Sequence, residues 1–464
     1  MTECIQSGFE FHPLAGRRVT AEFNGGTITS DAGGLLLRQT ERRSGILKRF
    51  SACFRDHRRA DRIEHRVEEL IAQRVYALAL GYEDLNDHDE LRADPLLAVM
   101  VDKRDCEGKQ RKQKRDHGKP LAGKSTLNRL ELTARAPDKK ERYRKIVADT
   151  EGIDRLLVEV FLEAHASPPQ EIVLDLDATD IPLHGHQEGR FFHGFYGDYC
   201  YLPLYIFCGD HLLCARQRSS NIDASAGSLE EVTRIVAQVR QAWPEVRIIV
   251  RADSGFCRDT LMSWCEENRV DYVFGLARNE RLRQMIRPQM EETAALHAQT
   301  GQPARVFAEF SYETRDSWSR SRRVVAKAEQ LAGKENPRYV VTSMPAEQWP
   351  AQQLYERLYC ARGDMENRIK EQLSLFSDRA SAETIKANQL RLYLSSVAYL
   401  LMCALRRLGL QGTELADAQC ITIRLKLLKI GAQIRVSVRR VWISLASSFP
   451  AQAIFKRVYT NLLC

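Results

Sequence analysis

Two acids stand inside apolar, strand-like runs, where chemistry has to account for them. In residues 171–182, EIVLDLDATDIP, period two puts Ile172, Leu174 and Leu176 on one face and Val173, Asp175, Asp177 and Thr179 on the other. A carboxylate there is costly unless a cation offsets it, and a metal ion is one such cation. Residues 246–256, VRIIVRADSGF, repeat the pattern: an apolar strand, then Asp253, then a Ser-Gly step that turns the chain. Each strand therefore delivers an acid at its carboxyl end, the edge where open α/β sheets bind ligands. A third acid, Glu366, falls on a predicted helix whose buried stripe is Leu354, Leu358, Met365, Ile369 and Phe376. Tyr359, Arg362, Glu366 and Lys370 share a neighbouring face of it. Glu366 and Lys370 read either as an exposed i, i+4 ion pair or as part of a phosphate-gripping face beside the acids.

Three convergent carboxylates suit two Mg²⁺ or Mn²⁺ ions, which at roughly 3.5–4 Å separation stabilise the attacking and leaving oxygens of phosphoryl transfer. Hard cations of this kind prefer oxygen ligands. Asp177 would bridge the ions, with Asp253 on one and Glu366 on the other; Asp175 shares the strand face of Asp177 and stays an alternative by spacing alone. His184, His186 and His193 offer zinc-type ligands. Their setting, rich in glycine and aromatic residues, fits a tight turn or a nucleic-acid contact better.

A second phosphate-binding motif is only formal. Residues 118–125, GKPLAGKS, match G-x-x-x-x-G-K-[ST]. Such a loop cradles phosphates when it follows a buried strand and opens a helix, whereas here RKQKRDH precedes it. A basic arm leading into a capped helix over 125–134 is the better reading, and no nucleotide is expected.

The elements around these residues follow from the same periodicities. A hairpin is expected within 17–37, turning at Asn24-Gly25, with Ser30 or Asp31 capping the next helix. Ile63, Val67, Leu70, Ile71, Val75 and Leu78 predict a helix over 62–80 that Gly81 stops. After Pro168-Pro169 the order is strand, strand, strand, helix, strand, helix, strand, a mixed α/β sheet with helices packed on it. Alternating strands over 306–312, 322–328 and 338–343 form a β-rich insertion, with Trp318 at a Ser/Arg-rich turn. The apolar stretch 392–405 is 14 residues long, too short for a membrane span, and reads as a core helix.

Composition bounds the class. The chain has 464 residues, 44% of them hydrophobic and 28% charged, which is ordinary for a folded protein of more than one domain. Its 12 cysteines lack metal-ribbon or disulfide spacing and fit a reducing cytosol, and no secretory leader pattern opens the chain. The net charge of +8 is carried by residues 421–464, which hold eight Lys or Arg and no acid. A second block, 103–119, has eight basic residues against three acids. Polyanions are natural partners for such patches, although a solvated face has the same composition.

At this point the chain resembles the DDE transposases of bacterial insertion sequences, in the branch called DDE group 1. The segments that carry the resemblance are GYEDLNDHDELRADP (81–95), KSTLNRLE (124–131), LDLDATDIPLHGHQEG (174–189), RADSGF (251–256) and YCARGDMENRIKE (359–371). It implies a ribonuclease-H-like mixed sheet with helices, a β-rich insertion before the last catalytic helix and a mainly helical amino-terminal region. The implied boundaries are 1–167 for a basic DNA-binding region, 168–277 and 351–408 for the catalytic core, 278–350 for the insertion, and 409–464 for a basic DNA-contacting tail.

The family's Asp-x-Thr step falls on Asp177, its second acid on Asp253, and its Tyr-x2-Arg-x3-Glu-x6-Lys signature on Tyr359, Arg362 and Glu366. Leu373 stands where the closing Lys belongs, with Lys370 one turn nearer. The implied activity is Mg²⁺- or Mn²⁺-dependent cut-and-paste transposition: hydrolysis at terminal inverted repeats, then strand transfer into target DNA by a homodimer in the bacterial cytoplasm, at the nucleoid. Arg424, Lys426, Arg439 and Arg440 are candidate phosphate contacts, and Trp318 is either a base-stacking ring or core. A nuclease without strand transfer and a DNA-binding derivative are the rival readings.

Overall fold

The computed structural model of the chain describes residues 8–133 and 144–463. Contacts divide it into two units. One combines the described parts of Met1–Leu47, Arg59–Asn128 and Ala404–Cys464; the other comprises Lys48–Arg58 and the described part of Arg129–Cys403.

The second unit is built on a nine-stranded mixed sheet. Its strands in chain order are β1 (Glu171–Ala178), β2 (Leu204–Cys208), β3 (His211–Arg216), β4 (Arg247–Ala252), β5 (Asp271–Leu276), β6 (Ala304–Tyr312), β7 (Arg322–Leu331), β8 (Lys334–Glu335) and β9 (Arg338–Thr342). They lie in the order β3-β2-β1-β4-β5-β9-β7-β6, with β8 paired to β7. Strands β1, β4 and β5 are parallel, while β2 runs antiparallel to β1 and β9 antiparallel to β5.

Alternation along β1 sorts its side chains between two cores. Ile172, Leu174 and Leu176 join the larger one, with Val158 and Phe161 of helix Thr150–Glu163, Val232 and Val236 of helix Ser228–Ala242, and Leu261 of helix Asp259–Glu267. Val173 packs on the other face with Ile249, Val273, Val340, Leu354 and Leu358. Strands expected over 306–312, 322–328 and 338–343 are present as β6, β7 and β9, and they continue this sheet rather than forming one of their own. Helices Glu280–Met285 and Arg287–Thr300, which strand periodicity did not suggest, precede them.

The first unit departs from several local expectations. Helix Val67–Leu80 does end at Gly81, in the left-handed region at φ 100°. The hairpin, however, is Phe9–Leu14 with Arg17–Ala21. It turns at Ala15 and Gly16, both at positive φ, and not at Asn24-Gly25. Strand Thr27–Thr29 instead pairs with Ala432–Val436, from the far end of the chain. Asp31 caps no helix: it is buried, 2.5 Å from Lys429 Nζ and 2.6 Å from Tyr82 Oη. Gly34–Ser44 forms the helix without a side-chain cap.

The GKPLAGKS segment follows a 3₁₀ turn, Lys114–Asp116, and not a strand. Lys124 Nζ lies 3.1 Å from both Asp89 Oδ2 and Asn86 Oδ1, so the lysine is committed to neighbouring polar groups. The helix there is Lys124–Glu131, and Ala134, the expected end, lies outside the described residues. Much of the basic block 103–119 is matched by acids, in the pairs Lys103–Glu69, Lys109–Glu107 and Arg111–Glu64. Among the described residues no helix is long and apolar enough to cross a membrane.

Candidate active site

Strand register brings two acids together. In the parallel pair β1/β4, Asp175 faces Arg251 and Leu176 faces Ala252. One step further, Asp177 closes β1 as Asp253 leaves β4, so both carboxylates stand at the same carboxyl edge. Asp253 caps the 3₁₀ turn Ser254–Phe256, its Oδ1 accepting from the Gly255 amide at 2.8 Å. Asp177 Oδ1 accepts from the Ala178 amide at 2.9 Å.

Glu366 arrives from the other side of the sequence, on helix Gly363–Leu373. The segment before it is a wide π-type turn, Leu354–Tyr359, then a tight one, Cys360–Arg362. Such irregular turns often mark functional sites. They turn Arg362 toward the sheet, where its guanidinium lies 3.6 Å from Asp177 Oδ2 and 3.4 Å from Glu366 Oε1. Burial pushes the Asp177 carboxyl up to about 6; Arg362 opposes this, while Asp253 and Glu366 add to it. Asp177 therefore feels the other two acids as like charges.

Asp175 is not interchangeable with Asp177. It is buried, and its two oxygens accept from Arg251 Nε at 2.5 Å and Nη2 at 2.7 Å. Arg251 Nη1 donates to the Leu358 carbonyl at 2.5 Å. This ion pair ties the strands of Asp177 and Asp253 to the turn that precedes Glu366. A cation and an acid, each two residues before a site acid in an otherwise apolar strand, were a readable sign of such a pair.

Tyr359 approaches the same edge over Gly275 of β5. A Cβ at residue 275 would come within 2.6 Å of the Tyr359 hydroxyl and 2.9 Å of the Ser254 amide nitrogen, so only glycine fits. Tyr196, from the loop after Asp177, reaches the Ala178 carbonyl at 3.4 Å. Its hydroxyl is pushed up to about 12 by burial, then by Asp180 and Asp177.

The remaining expected contacts separate. Lys370 is exposed one turn beyond Glu366. Trp318 is half-buried against the larger core, edge-on to Tyr312 at 5.7 Å and 5.6 Å from the Arg322 guanidinium. Arg424 is buried in the other unit, with Nε donating to the Ala79 carbonyl at 2.9 Å, and so closes the end of helix Val67–Leu80. Lys426, Arg439 and Arg440 of that unit are exposed. Phe376 lies past the end of its helix, and Leu375 is buried in its place.

Among the described residues no group of three or more His, Cys, Asp or Glu side chains is gathered closely enough to hold a metal, and His184, His186 and His193 are not brought together. Asp177, Asp253 and Glu366 are likewise not closed into a cage. Their chemistry still fits a hard divalent cation: the donors are all carboxylate oxygens, Asp253 and Glu366 both repel Asp177, and a guanidinium already lies against two of them.

A family model described as transposase DDE domain group 1 matches residues 11–463. No curated protein matches the chain. Among solved structures, the chain is similar to that of a piggyBac transposase synaptic complex with hairpin DNA, at 11% identity and a TM-score of 0.42, over 86% of this chain and 80% of that one.

Proposed function

The chain belongs to the transposase DDE domain group 1 family, and from that premise we propose that it is the DNA transposase of a bacterial insertion sequence, acting through Asp177, Asp253 and Glu366. The observation that carries this reading is the register of β1 and β4, which puts Asp177 and Asp253 side by side at one edge where Glu366 also perturbs Asp177. The strand order β3-β2-β1-β4-β5, with only β2 reversed against β1 among β1, β2, β4 and β5, supports a ribonuclease-H-like core.

Asp177, Asp253 and Glu366 would hold Mg²⁺ or Mn²⁺, which when bound supplies positive charge to the attacking and leaving oxygens of a phosphodiester. Arg362 grips a phosphate oxygen beside them, as its planar fork suits, and Lys370 adds charge one turn on. Gly275 and the Arg251–Asp175 pair keep Tyr359 and the Glu366 helix in place. Hydrolysis at the terminal inverted repeats frees a 3′-hydroxyl, which then attacks target DNA. Lys426, Arg439 and Arg440 contact phosphates, and two chains act together in the synaptic complex.

The test is divalent-cation-dependent cleavage and strand transfer on a labelled duplex carrying the flanking element end, with Asp253→Ala beside the wild type. Cutting and joining by the wild type alone supports the proposal. A variant that cuts as well as the wild type removes Asp253 from the site. Cutting without joining favours a nuclease, and binding without cutting by either protein favours a DNA-binding derivative.

A further inference from the structure

Beside the acids lies a groove that the reaction above leaves unused. Its volume is about 430 Å³, and Ser254, Gly275, Arg278, Lys334, Arg338 and Tyr359 are among the residues that line it. Ser254 directly follows Asp253, and Tyr359 lies one helical turn before Arg362, so the groove opens on the same sheet edge as the acids. Three of its side chains, Arg278, Lys334 and Arg338, are cationic and exposed, and among the described residues none of them is held in an ion pair. The one carboxylate among the lining residues is Glu335.

This distinguishes the groove from the basic block 103–119 and from the cations on the neighbouring strands. The block 103–119 spends much of its charge on Glu69, Glu107 and Glu64, and nearby Arg305, Arg322 and Arg323 are all paired to acids.

The loop that presents Lys334 and Arg338 is anchored. Asn336 donates from its backbone to the Glu329 carbonyl at 2.8 Å and from its side chain to Glu329 Oε2 at 2.6 Å. Glu329 is in turn gripped by Lys327 at 2.5 Å and Arg305 at 2.7 Å. Two cations on a braced hairpin and a third on the loop after β5 line one groove together with Gly275 and Tyr359. Unpaired cations lining a concave groove are a site for a polyanion such as a nucleic-acid backbone.

We propose that this groove binds the phosphate backbone of the DNA strand that runs past Asp253, with Arg278, Lys334 and Arg338 as its phosphate contacts. The proposal rests on the transposase reading. In a chain of this family it would fix which way a strand leaves the acids, and it would do so without reading bases.

The experiment measures equilibrium binding of the full-length protein to a fluorescent duplex carrying the element end, at several salt concentrations. It compares the wild type with the triple variant Arg278→Gln, Lys334→Gln, Arg338→Gln and with the charge-keeping pair Arg278→Lys, Arg338→Lys. Each phosphate that is no longer neutralised lowers the slope of log K against log salt by about 0.9, so the triple variant is expected to lose roughly 2–3 units of slope while the lysine pair keeps it. Affinity should fall by a similar factor on an unrelated duplex. A wild type that binds and cuts while the triple variant, melting at the same temperature, keeps the full slope overturns the groove and leaves the transposase reading standing. A wild type that neither binds nor cuts DNA overturns both.

Discussion

Asp177 carries a cost that its position makes unavoidable. Its carboxyl is pushed up to about 6, from an ordinary value of 3.8, chiefly by burial, so the folded chain holds a proton there that the unfolded chain has released. Between those two values the folded state binds more protons, and stability therefore falls as pH rises through this window and stays low above it. Asp177→Asn should abolish cleavage yet stabilise the metal-free protein at neutral pH by on the order of 2 kcal/mol. Thermal melts of both proteins at pH 4 and pH 7.5 check this: the gain should be present at the higher pH and absent at the lower. A gain equal at both would point to packing instead of charge. Gly275 makes a second, independent case. A methyl group there meets the Tyr359 hydroxyl at 2.6 Å and the backbone of Ser254 at 2.9 Å. Gly275→Ala should cost about 10-fold or more in strand cleavage by displacing the tyrosine by an ångström or so. Tyr359→Phe, which relieves part of that crowding, should restore some of the rate in the double variant; a double variant no faster than Gly275→Ala alone would place the damage in the Ser254 turn.

The elements that position these residues are clamped through buried polar groups as well as apolar ones. Asp154 of helix Thr150–Glu163 is buried and accepts from Arg216 of β3 at 2.5 Å and from Tyr393 of helix Ile385–Leu408 at 2.8 Å. Arg216 also reaches Glu231 of helix Ser228–Ala242 at 2.7 Å. Asp154→Ala leaves Arg216 with Glu231 but takes the acceptor from the buried Tyr393 hydroxyl, so it should destabilise this unit by about 1–3 kcal/mol. Hydrogen exchange of the β1 and β3 amides reads that loss directly, and unchanged protection would mean the network adds nothing to the clamp. Much of this layer was legible beforehand. Strands β1 and β4 announce themselves because alternation divides their side chains between two cores, and Asp177 and Asp253 stand out because carboxylates are rare in such runs. What sequence periodicity could not convey was pairing between polar groups far apart in the chain: Asp154 with Arg216, Arg424 with the Ala79 carbonyl. Each looks locally like an ordinary polar residue, and only burial turns it into an obligatory partner. Trp318 was ambiguous for the same reason, since an aromatic ring in a polar turn packs or stacks according to what lies beneath it.

At the scale of the whole chain, its two ends fold together. Residues 421–464 are acid-free and basic, a composition that suggests a tail laid on DNA. Yet Ala432–Val436 forms the central strand between Thr27–Thr29 and Val441–Leu445. Lys429 neutralises buried Asp31, and Arg424 satisfies carbonyls at the end of helix Val67–Leu80. Removing residues 409–464 would leave a buried carboxylate without its cation, a helix end without its donor and a strand edge unpaired, each of which is destabilising. Deletion should therefore do more than weaken DNA binding: it should open residues 27–101 to limited proteolysis, seen as early cleavage by mass spectrometry. The exposed cations belong to a different category. Lys426→Gln, Arg439→Gln and Arg440→Gln together should leave the digestion pattern unchanged while lowering DNA affinity in proportion to the number of phosphates those side chains neutralise. If the truncated chain digests like the intact one, the carboxyl-terminal segment is an appendage after all. If instead the three surface variants also open residues 27–101, its charges serve folding and not DNA. Only the combination of an unstable truncation with a stable, weakly binding surface variant fits a segment that completes the fold with one face and meets DNA with the other.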